Sequence, residues 1–407
     1  MRHDLGRLLR ERGLGAAVVF AYDRYSPPMY YLTRSRIRFG IYVLTADGRS
    51  RLIHDEMEEE AAAATGLERM GFGEAGLMAL FAEEGTSAPA FARLIAQTCA
   101  QMGIDGRIGL YGDLPASYGH ALITRLREVG GPDVDTASPD ALSVARMTKD
   151  PDEVEALRRA STGTVAALER VKAFLSASRL DGSTIQGADG SPVTLGTLRR
   201  IIGREFLENG LVEEGDAGIV SQGADAGVPH SRGHDEEAVR PGAPIVIDIF
   251  PGEAGGGYRS DFTRTLCVGP APEPLGDLYR DVREAVDRVT AALAVGTSCR
   301  SLHELACEVF EARGHPTDRT DPGTEIGYCH DLGHGVGLAV HEEPRLGGLP
   351  SNTHSLQPGM VFTVEPGLYY PARELGVRLE DLFYARPDGT FENLTPAPYE
   401  LEVHPRG

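Results

Sequence analysis

The sequence contains no tryptophan, and its cysteines and lysines are few. The five cysteines are odd in number and form no Cys-x-x-Cys pair, which is typical of reduced thiols rather than of a disulfide framework. Lys149 and Lys172 are the only lysines, so the basic residues are almost all arginine, as in proteins from GC-rich genomes. The chain has no apolar run of the ~20 residues that a membrane span requires. Its charged N-terminus lacks the apolar segment of a secretory signal. We therefore expect a cytoplasmic protein.

Basic residues are outnumbered by acidic ones, which gives a formal net charge of −20 and a pI near 5.0. Such a balance argues against nucleic acid or an anionic membrane surface as a partner. With 41% hydrophobic and 25% charged residues, the composition is that of an ordinary globular protein. A chain of 407 residues is long for one domain and sufficient for two.

The first domain is predicted to span residues 1–149 and to be a smaller α/β layer. Strand-like runs alternate in it with helical segments; the strand-like runs are 16–20, 29–33, 41–45, 51–54 and 107–111, and the helical segments lie near 56–64, 87–102 and 116–129. His54, Asp55 and the acidic run 58–60 are interpreted as a solvated helix face.

The second domain is predicted to span residues 150–407. Asp150 is the expected N-cap of its first helix, 152–177, and Pro151 suits the first turn. Further helices near 196–209, 276–295 and 301–313 would flank several strand-like runs. The pattern predicts an α+β domain whose sheet curves around a site.

Two aspartates stand in or beside apolar strand patterns of this domain. Asp248 lies inside the β-branched run 243–250, and Asp261 opens the run 261–268. The glycine-rich stretch between them predicts a hairpin that places both carboxylates on one face. A buried carboxylate is costly unless it is paired, hydrogen-bonded or bound to a metal.

The same pattern recurs near the C-terminus, where Glu365 ends the run 360–365 and Glu380 stands among the apolar residues of 376–384. Four such acids cannot all be charged without cations. Oxygen ligands with one imidazole suit Mn²⁺, or else Co²⁺, Zn²⁺ or Fe²⁺, and charge balance favours two divalent ions. The alternative is that each acid forms a private ion pair with an arginine.

His334 is the imidazole of this set. It stands in the glycine-rich stretch 333–337, which cannot be a helix interior and predicts irregular backbone. A lone histidine is more often structural than functional. Here His330, His334 and His341 are close together in the chain and follow two strand aspartates, which favours a metal site.

At this point the sequence resembles a known family, the pita-bread metallopeptidases, which include methionine aminopeptidase, Xaa-Pro aminopeptidase and prolidase. The resemblance covers about residues 150–400, with the order Asp, Asp, His, Glu, Glu intact. Its most specific pieces are Ser-Asp-Phe-Thr-Arg-Thr (260–265), His-Asp-Leu-Gly-His-Gly-Val-Gly-Leu-Ala-Val-His-Glu (330–342), Leu-Gln-Pro-Gly-Met-Val-Phe-Thr-Val-Glu-Pro-Gly (356–367) and Val-Arg-Leu-Glu-Asp (377–381). It implies a pita-bread catalytic domain after a creatinase-like N-terminal domain.

The resemblance also implies roles for individual residues. The metal ligands would be Asp248, Asp261, His334, Glu365 and Glu380. His230 would contact the substrate, and His341 would contact the scissile amide and stabilise the tetrahedral intermediate. His330 and Arg378 resemble groups of the proline-specific branch, which points away from methionine aminopeptidase. Prolidases commonly place an arginine before the Glu-Pro-Gly strand to bind the dipeptide carboxylate, and the candidates here are Arg345 and His354.

The implied activity is hydrolysis of the Xaa-Pro bond of short peptides. A hydroxide bridging two metals would attack the carbonyl before proline, and Glu365 would carry the proton to the leaving nitrogen. A prolidase acting on dipeptides is the first interpretation, and an Xaa-Pro aminopeptidase acting on longer peptides is the second. A metal-free creatinase-like hydrolase and a non-catalytic binding protein are weaker alternatives, because all five ligands are kept. Proline-specific relatives also imply a homodimer.

Overall fold

The computed structural model describes residues 1–213 and 218–406, which form two compact units. The first unit comprises Met1–Arg146 and Gly255–Gly257, and the second comprises Met147–Ala254 and Tyr258–Gly407. Residues 147–149 belong to the second unit. There the Lys149 amide donates to the carbonyl of Gly359 at 2.8 Å, and its ammonium lies 3.2 Å from Glu342.

A six-stranded mixed sheet is the centre of the first unit. Its strands are β1 (Leu14–Ala21), β2 (Gly40–Thr45), β3 (Ser50–His54), β4 (Arg69–Gly71), β5 (Arg107–Tyr111) and β6 (Asp133–Val134), in the order β4-β3-β2-β1-β5-β6. Its helices are α1 (Leu5–Glu11), α2 (Pro27–Thr33), α3 (Glu59–Ala64), α4 (Leu77–Glu84), α5 (Ser87–Gln101), α6 (Ala116–Glu128) and α7 (Ala141–Arg146). The predicted α/β layering is present, and its core joins the sheet to α4, α5 and α6.

Two sequence predictions in this unit were wrong. Residues 29–33 form part of α2 rather than a strand, because Ser26 caps the helix by accepting the Met29 amide and prolines occupy its first turn. His54 is not on a solvated helix face. It ends the strand β3, is 1% exposed, and its Nδ1 lies 2.8 Å from the carbonyl of Asp55.

The second unit contains four long helices and several small sheets within the described ranges. The helices are α8 (Pro151–Ala177), α9 (Leu195–Glu208), α10 (Glu273–Ala291) and α11 (Cys299–Ala312). The first helix begins as predicted, with Asp150 and Glu153 forming a capping box and Pro151 in the first turn. The strands are β7 (Arg179–Asp181), β8 (Thr184–Gln186), β9 (Leu211–Val212), β10 (Ile219–Gln222), β11 (Pro244–Ile249), β12 (Gly252–Glu253), β13 (Phe262–Val268), β14 (Gly333–Gly335), β15 (Glu342–Leu346), β16 (Val361–Val364), β17 (Gly367–Tyr370), β18 (Leu375–Arg378), β19 (Asp381–Ala385), β20 (Phe391–Asn393) and β21 (Glu402–Val403).

Two of these sheets carry the predicted ligands, and each packs against a pair of helices. The sheet β10-β11-β13-β21 shares a core with α8 and α9, through residues such as Leu168, Leu198 and Ile247. The sheet β15-β14-β16-β19-β20 shares a core with α10 and α11, through residues such as Val282 and Phe362. This is the α+β arrangement that the resemblance implied. No helix in the described ranges is both long and apolar enough to cross a membrane.

Candidate metal centre

The hairpin predicted for the two aspartates is present. Strands β11 and β13 pair antiparallel, and Asp248 stands opposite Thr263. Asp261 precedes Thr263 by two positions, so its side chain points to the same face of the sheet as the two paired residues. A further bridge joins Thr263 to Glu380, which brings a third acid to the same place.

His334 is held by strand backbone rather than by an irregular loop, so that prediction was wrong. Gly333 and Gly335 flank it within β14, because side chains would not fit there. A Cβ on Gly333 would lie 2.1 Å from the Thr363 carbonyl oxygen, and one on Gly335 would lie 2.2 Å from that of Glu343. The glycines therefore allow neighbouring backbones to approach closely on both sides of the histidine.

Ligand atoms of Asp261, His334 and Glu380 lie within 4.8 Å of one another, and all three residues are buried. The Nε2 atom of His334 lies 3.2 Å from Glu365 and 3.6 Å from Asp261. Its Nδ1 atom lies 3.2 Å from the Gly335 carbonyl, which orients the ring with Nε2 toward the acids.

The charges of this cluster perturb one another strongly. Burial raises the pKa of Asp261 well above its ordinary range, and the nearby charge of Asp248 raises it further. Burial and then Asp261 do the same to the pKa of Glu380. Burial opposes the charge on His334, but its hydrogen bond and attraction to Glu365 raise the pKa to about 9. The positive charges of the polypeptide alone are therefore too few to balance the buried carboxylates.

An unsatisfied atom indicates how the missing positive charge would be supplied. One oxygen of Glu380 accepts a hydrogen bond of 2.6 Å from Thr263. The other, Oε1, is buried and accepts no hydrogen bond from the described residues. A buried carboxylate oxygen without a donor, beside two more acids and an imidazole, fits a divalent cation with oxygen and nitrogen ligands.

Arg378 and Tyr369 form a layer behind the acids. The Arg378 guanidinium donates to Asp248 and, at 2.8 Å, to the hydroxyl of Tyr369. That hydroxyl lies 2.9 Å from Nε2 of His330, whose Nδ1 is 2.7 Å from the Asp331 carbonyl. Tyr369 thus links two residues that the sequence singled out, although no sequence motif pointed to it.

A cavity of about 700 Å³ opens onto this cluster. All the predicted site residues except His354 line it: His230, Asp248, Asp261, His330, His334, His341, Arg345, Glu365, Arg378 and Glu380. Residues that the sequence did not single out complete its wall, namely Ile219, Pro229, Arg232, Phe250, Asp331 and Val340.

Arg345 and His354, the two candidates for binding a substrate carboxylate, lie in different places in the fold. Arg345 stands opposite His334 in the pairing of β14 with β15, which places it at the cavity. His354 lies beyond that strand, with Nε2 3.4 Å from Glu343, and does not line the cavity.

His341 also lies at the cavity, with its ring centroid 4.4 Å from that of His334. Burial, and then the charge of His334, lowers the pKa of His341 to about 4. This imidazole is therefore neutral near pH 7 and retains one N–H that can donate a hydrogen bond.

A model of metallopeptidase family M24 matches residues 155–387 of the chain. The chain belongs to this family. The matched region contains all five predicted ligands, and membership implies divalent metal ions at the M24 centre. The fold described above is the pita-bread fold of M24 proteins.

Among curated M24 relatives, a probable dipeptidase PepE of Mycobacterium tuberculosis is 31% identical over 266 residues, which cover 65% of this chain and 63% of the relative. An Xaa-Pro dipeptidase of Pyrococcus furiosus is 34% identical over 183 residues, covering 45% of this chain and 48% of the relative. The alignments thus span less than two thirds of either relative. Among solved structures, a dipeptidase from Pyrococcus horikoshii matches with a TM-score of 0.76 and 25% identity, and 99% of each chain is covered.

Proposed function

We propose that the protein is a metal-dependent exopeptidase that hydrolyses the Xaa-Pro bond, with dipeptides as its preferred substrates. The observation that carries the proposal is a single cavity with buried acids and His334 at its base, and His341 and Arg345 on its wall. Names of M24 relatives that include dipeptidases and Xaa-Pro dipeptidases support the same reaction.

Asp248, Asp261, His334, Glu365 and Glu380 would hold two divalent ions, which we propose to be Mn²⁺. When bound, the ions would supply Lewis acidity toward the peptide carbonyl and the attacking water. The acids would also attract the free α-amino group of the substrate, which limits cleavage to the N-terminal residue.

The chain's own residues would then manage the protons. Glu365 lines the cavity, where its carboxylate lies 3.2 Å from Nε2 of His334. We propose that Glu365 takes the proton of the attacking water and delivers it to the leaving proline nitrogen. His341 would donate its N–H to the carbonyl oxygen as negative charge develops there. His230 would position the peptide between these groups.

Arg345 is the proposed determinant of dipeptide selectivity. Arg345 lines the cavity and would pair there with the carboxylate of a dipeptide, and such a pair is charge-assisted. A longer peptide would not place its carboxylate at the same point. The competing function is an Xaa-Pro aminopeptidase, for which this pair is not needed.

The test compares hydrolysis of Ala-Pro, Ala-Pro-amide and Ala-Pro-Ala-Ala by the Mn²⁺-loaded protein and by an Arg345→Gln variant. We expect preference for Ala-Pro, and a KM for Ala-Pro that rises at least about tenfold in the variant while that for the amide stays unchanged. An Arg345→Lys variant is the matched control, since it keeps the charge but not the two-pronged geometry.

Preference for Ala-Pro-Ala-Ala would replace the dipeptidase assignment by the aminopeptidase. Cleavage of none of the three peptides would refute the exopeptidase proposal. The homodimer is likewise a proposal, and sedimentation equilibrium tests it directly.

A further inference from the structure

A second cluster of metal-ligating side chains lies outside the cavity. His303 and Cys307 are one turn apart on α11, so both project from the same face, and Asp318 approaches them from the segment that follows the helix. Ligand atoms of the three residues lie within 4.8 Å of one another. None of the three lines the cavity of the candidate active site.

The distances between the ligand atoms fit a tetrahedral ion. Bonds of about 2.3 Å to sulfur and about 2.0–2.1 Å to nitrogen and oxygen require edges of about 3.5 Å for N···S and O···S and about 3.3 Å for N···O. The observed separations are 3.5 Å from His303 Nε2 to Cys307 Sγ, 3.7 Å from Sγ to Asp318 Oδ1 and 3.3 Å from Nε2 to Oδ1.

The imidazole is oriented as a ligand would be. Its Nδ1 lies 3.4 Å from the Tyr328 hydroxyl, which leaves Nε2 facing the sulfur and the carboxylate. Metal-bound histidines are commonly fixed by such a contact at the second nitrogen. Gly348 also leaves the Nε2 side of the ring uncrowded, since any larger residue there would place its Cβ 3.1 Å from Nε2.

A Cys-His-Asp set could instead suggest a nucleophile. Cys307 is 0% exposed and His303 is 1% exposed, so no substrate reaches the sulfur. The Asp318 side chain is 33% exposed, which gives solvent access to one side of the cluster.

We propose that His303, Cys307 and Asp318 bind one Zn²⁺ ion, with a solvent molecule as the fourth ligand. One thiolate, one imidazole and one carboxylate are a ligand set for zinc, and differ from the sulfur-free set of the candidate active site. The ion fastens α11 to the segment 313–328, which leads directly into His330. The site does not depend on the proposed peptidase reaction.

The experiment is a Co²⁺ titration of the metal-stripped full-length protein. Cobalt replaces zinc in such sites, and a thiolate ligand gives a charge-transfer band in the near ultraviolet that oxygen and nitrogen ligands do not give. We expect this band to saturate at about one equivalent bound to the sulfur site and to persist in an Asp261→Asn variant. Zn²⁺ should abolish the band by competition.

Variants assign the band to the cluster. Cys307→Ser should remove it, and Asp318→Asn should weaken Co²⁺ binding at least about tenfold, the lower bound seen even for groups behind a ligand. Cys329→Ser and Cys99→Ser are matched controls and should retain the band, since neither cysteine belongs to the cluster.

Absence of the band in the parent protein, or its persistence in Cys307→Ser, would overturn the proposal and leave a hydrogen-bonded triad. If Cys307→Ser does not fold, Asp318→Asn decides, because its site is partly exposed; unchanged Co²⁺ affinity in that variant also overturns the zinc site. Absence of peptidase activity in a parent protein that shows the band would refute only the proposed function.

Discussion

Replacing Arg264 by leucine should strongly destabilise the second unit. Its guanidinium is 1% exposed and pairs at 2.7 Å with Asp381, whose side chain is also 1% exposed. It further donates to the carbonyls of Glu380, Thr263 and Ala397. The group therefore holds together the strands that carry two of the predicted ligands.

The expected loss of stability follows from the Asp381 charge that the substitution leaves without its arginine. Removing one partner of a buried pair leaves the other uncompensated and costs about 3–5 kcal/mol. No discount for solvent screening applies, because both side chains are buried. At about 2–4 °C per kcal/mol for a domain of this size, the unfolding midpoint should fall by roughly 6–20 °C.

The assay is calorimetry and urea unfolding of Arg264→Leu, Asp381→Leu and the double variant, all metal-loaded. The double variant should lose less stability than the sum of the two single variants, since removing both charges leaves neither unpaired. Arg283→Leu is the control. Arg283 stacks on the same Tyr399 ring as Arg264, but it is 35% exposed and pairs at the surface, so its loss should cost within about 1 kcal/mol.

A loss below about 1 kcal/mol for Arg264→Leu, or strict additivity in the double variant, would refute this reasoning. The first result would mean that Asp381 accommodates its charge without the arginine. The second would mean that the pair is not coupled.

Three further predictions concern the metal centre, the cavity and a buried ion pair. In the chelated protein, stability should fall between pH 7 and pH 8.5. The pKa of His334, raised to about 9, makes the folded state bind more protons than the unfolded state over that range. Urea midpoints that rise with pH would contradict this, and Mn²⁺ should flatten the slope. His341→Ala should lower kcat roughly 10²–10³-fold with a smaller change in KM. His354→Ala is the control and should leave both constants unchanged, because His354 does not line the cavity. Steady-state kinetics on Ala-Pro distinguishes the two variants. Lys149→Met should lower the thermal midpoint by several degrees, because the Glu342 carboxylate, 6% exposed, loses the ammonium that pairs with it at 3.2 Å. An unchanged midpoint in a thermal melt would contradict this.

Local patterns in the sequence were sufficient for much of the fold. The β-branched run around Asp248 predicted β11 because such residues favour a pleated, buried strand, and Asp150 with Pro151 predicted where α8 begins. These signals act over a few neighbouring residues, so they can be read without the rest of the chain. The four candidate acid ligands stood out for a related reason, because charged groups in or beside apolar runs are costly unless something binds them. His334 stood out instead by its position near His330 and His341.

Local patterns were misinterpreted at two places, one decided by neighbouring residues and the other by a distant contact. The run 29–33 is apolar enough for a strand, but the Ser26 cap and the prolines at the first turn make it a helix. The glycines around His334 indicated irregular backbone, whereas the close approach of Thr363 and Glu343 makes them strand residues. In both places the residue types fit more than one backbone conformation, and the sequence analysis chose the wrong one.

The sequence by itself determined the chemical identity of the candidate site: four acids and an imidazole, near other histidines and an arginine. Only the tertiary structure decided which groups share the cavity, since the pairing of β14 with β15 brings Arg345 to it and leaves His354 outside. The structure also added Tyr369 between Arg378 and His330, and it joined Asp318 to His303 and Cys307. Candidate residues can be recognised in the sequence because burying a charge has a local energetic cost. Which of them lie close together depends on how strands pair and helices pack across long stretches of chain.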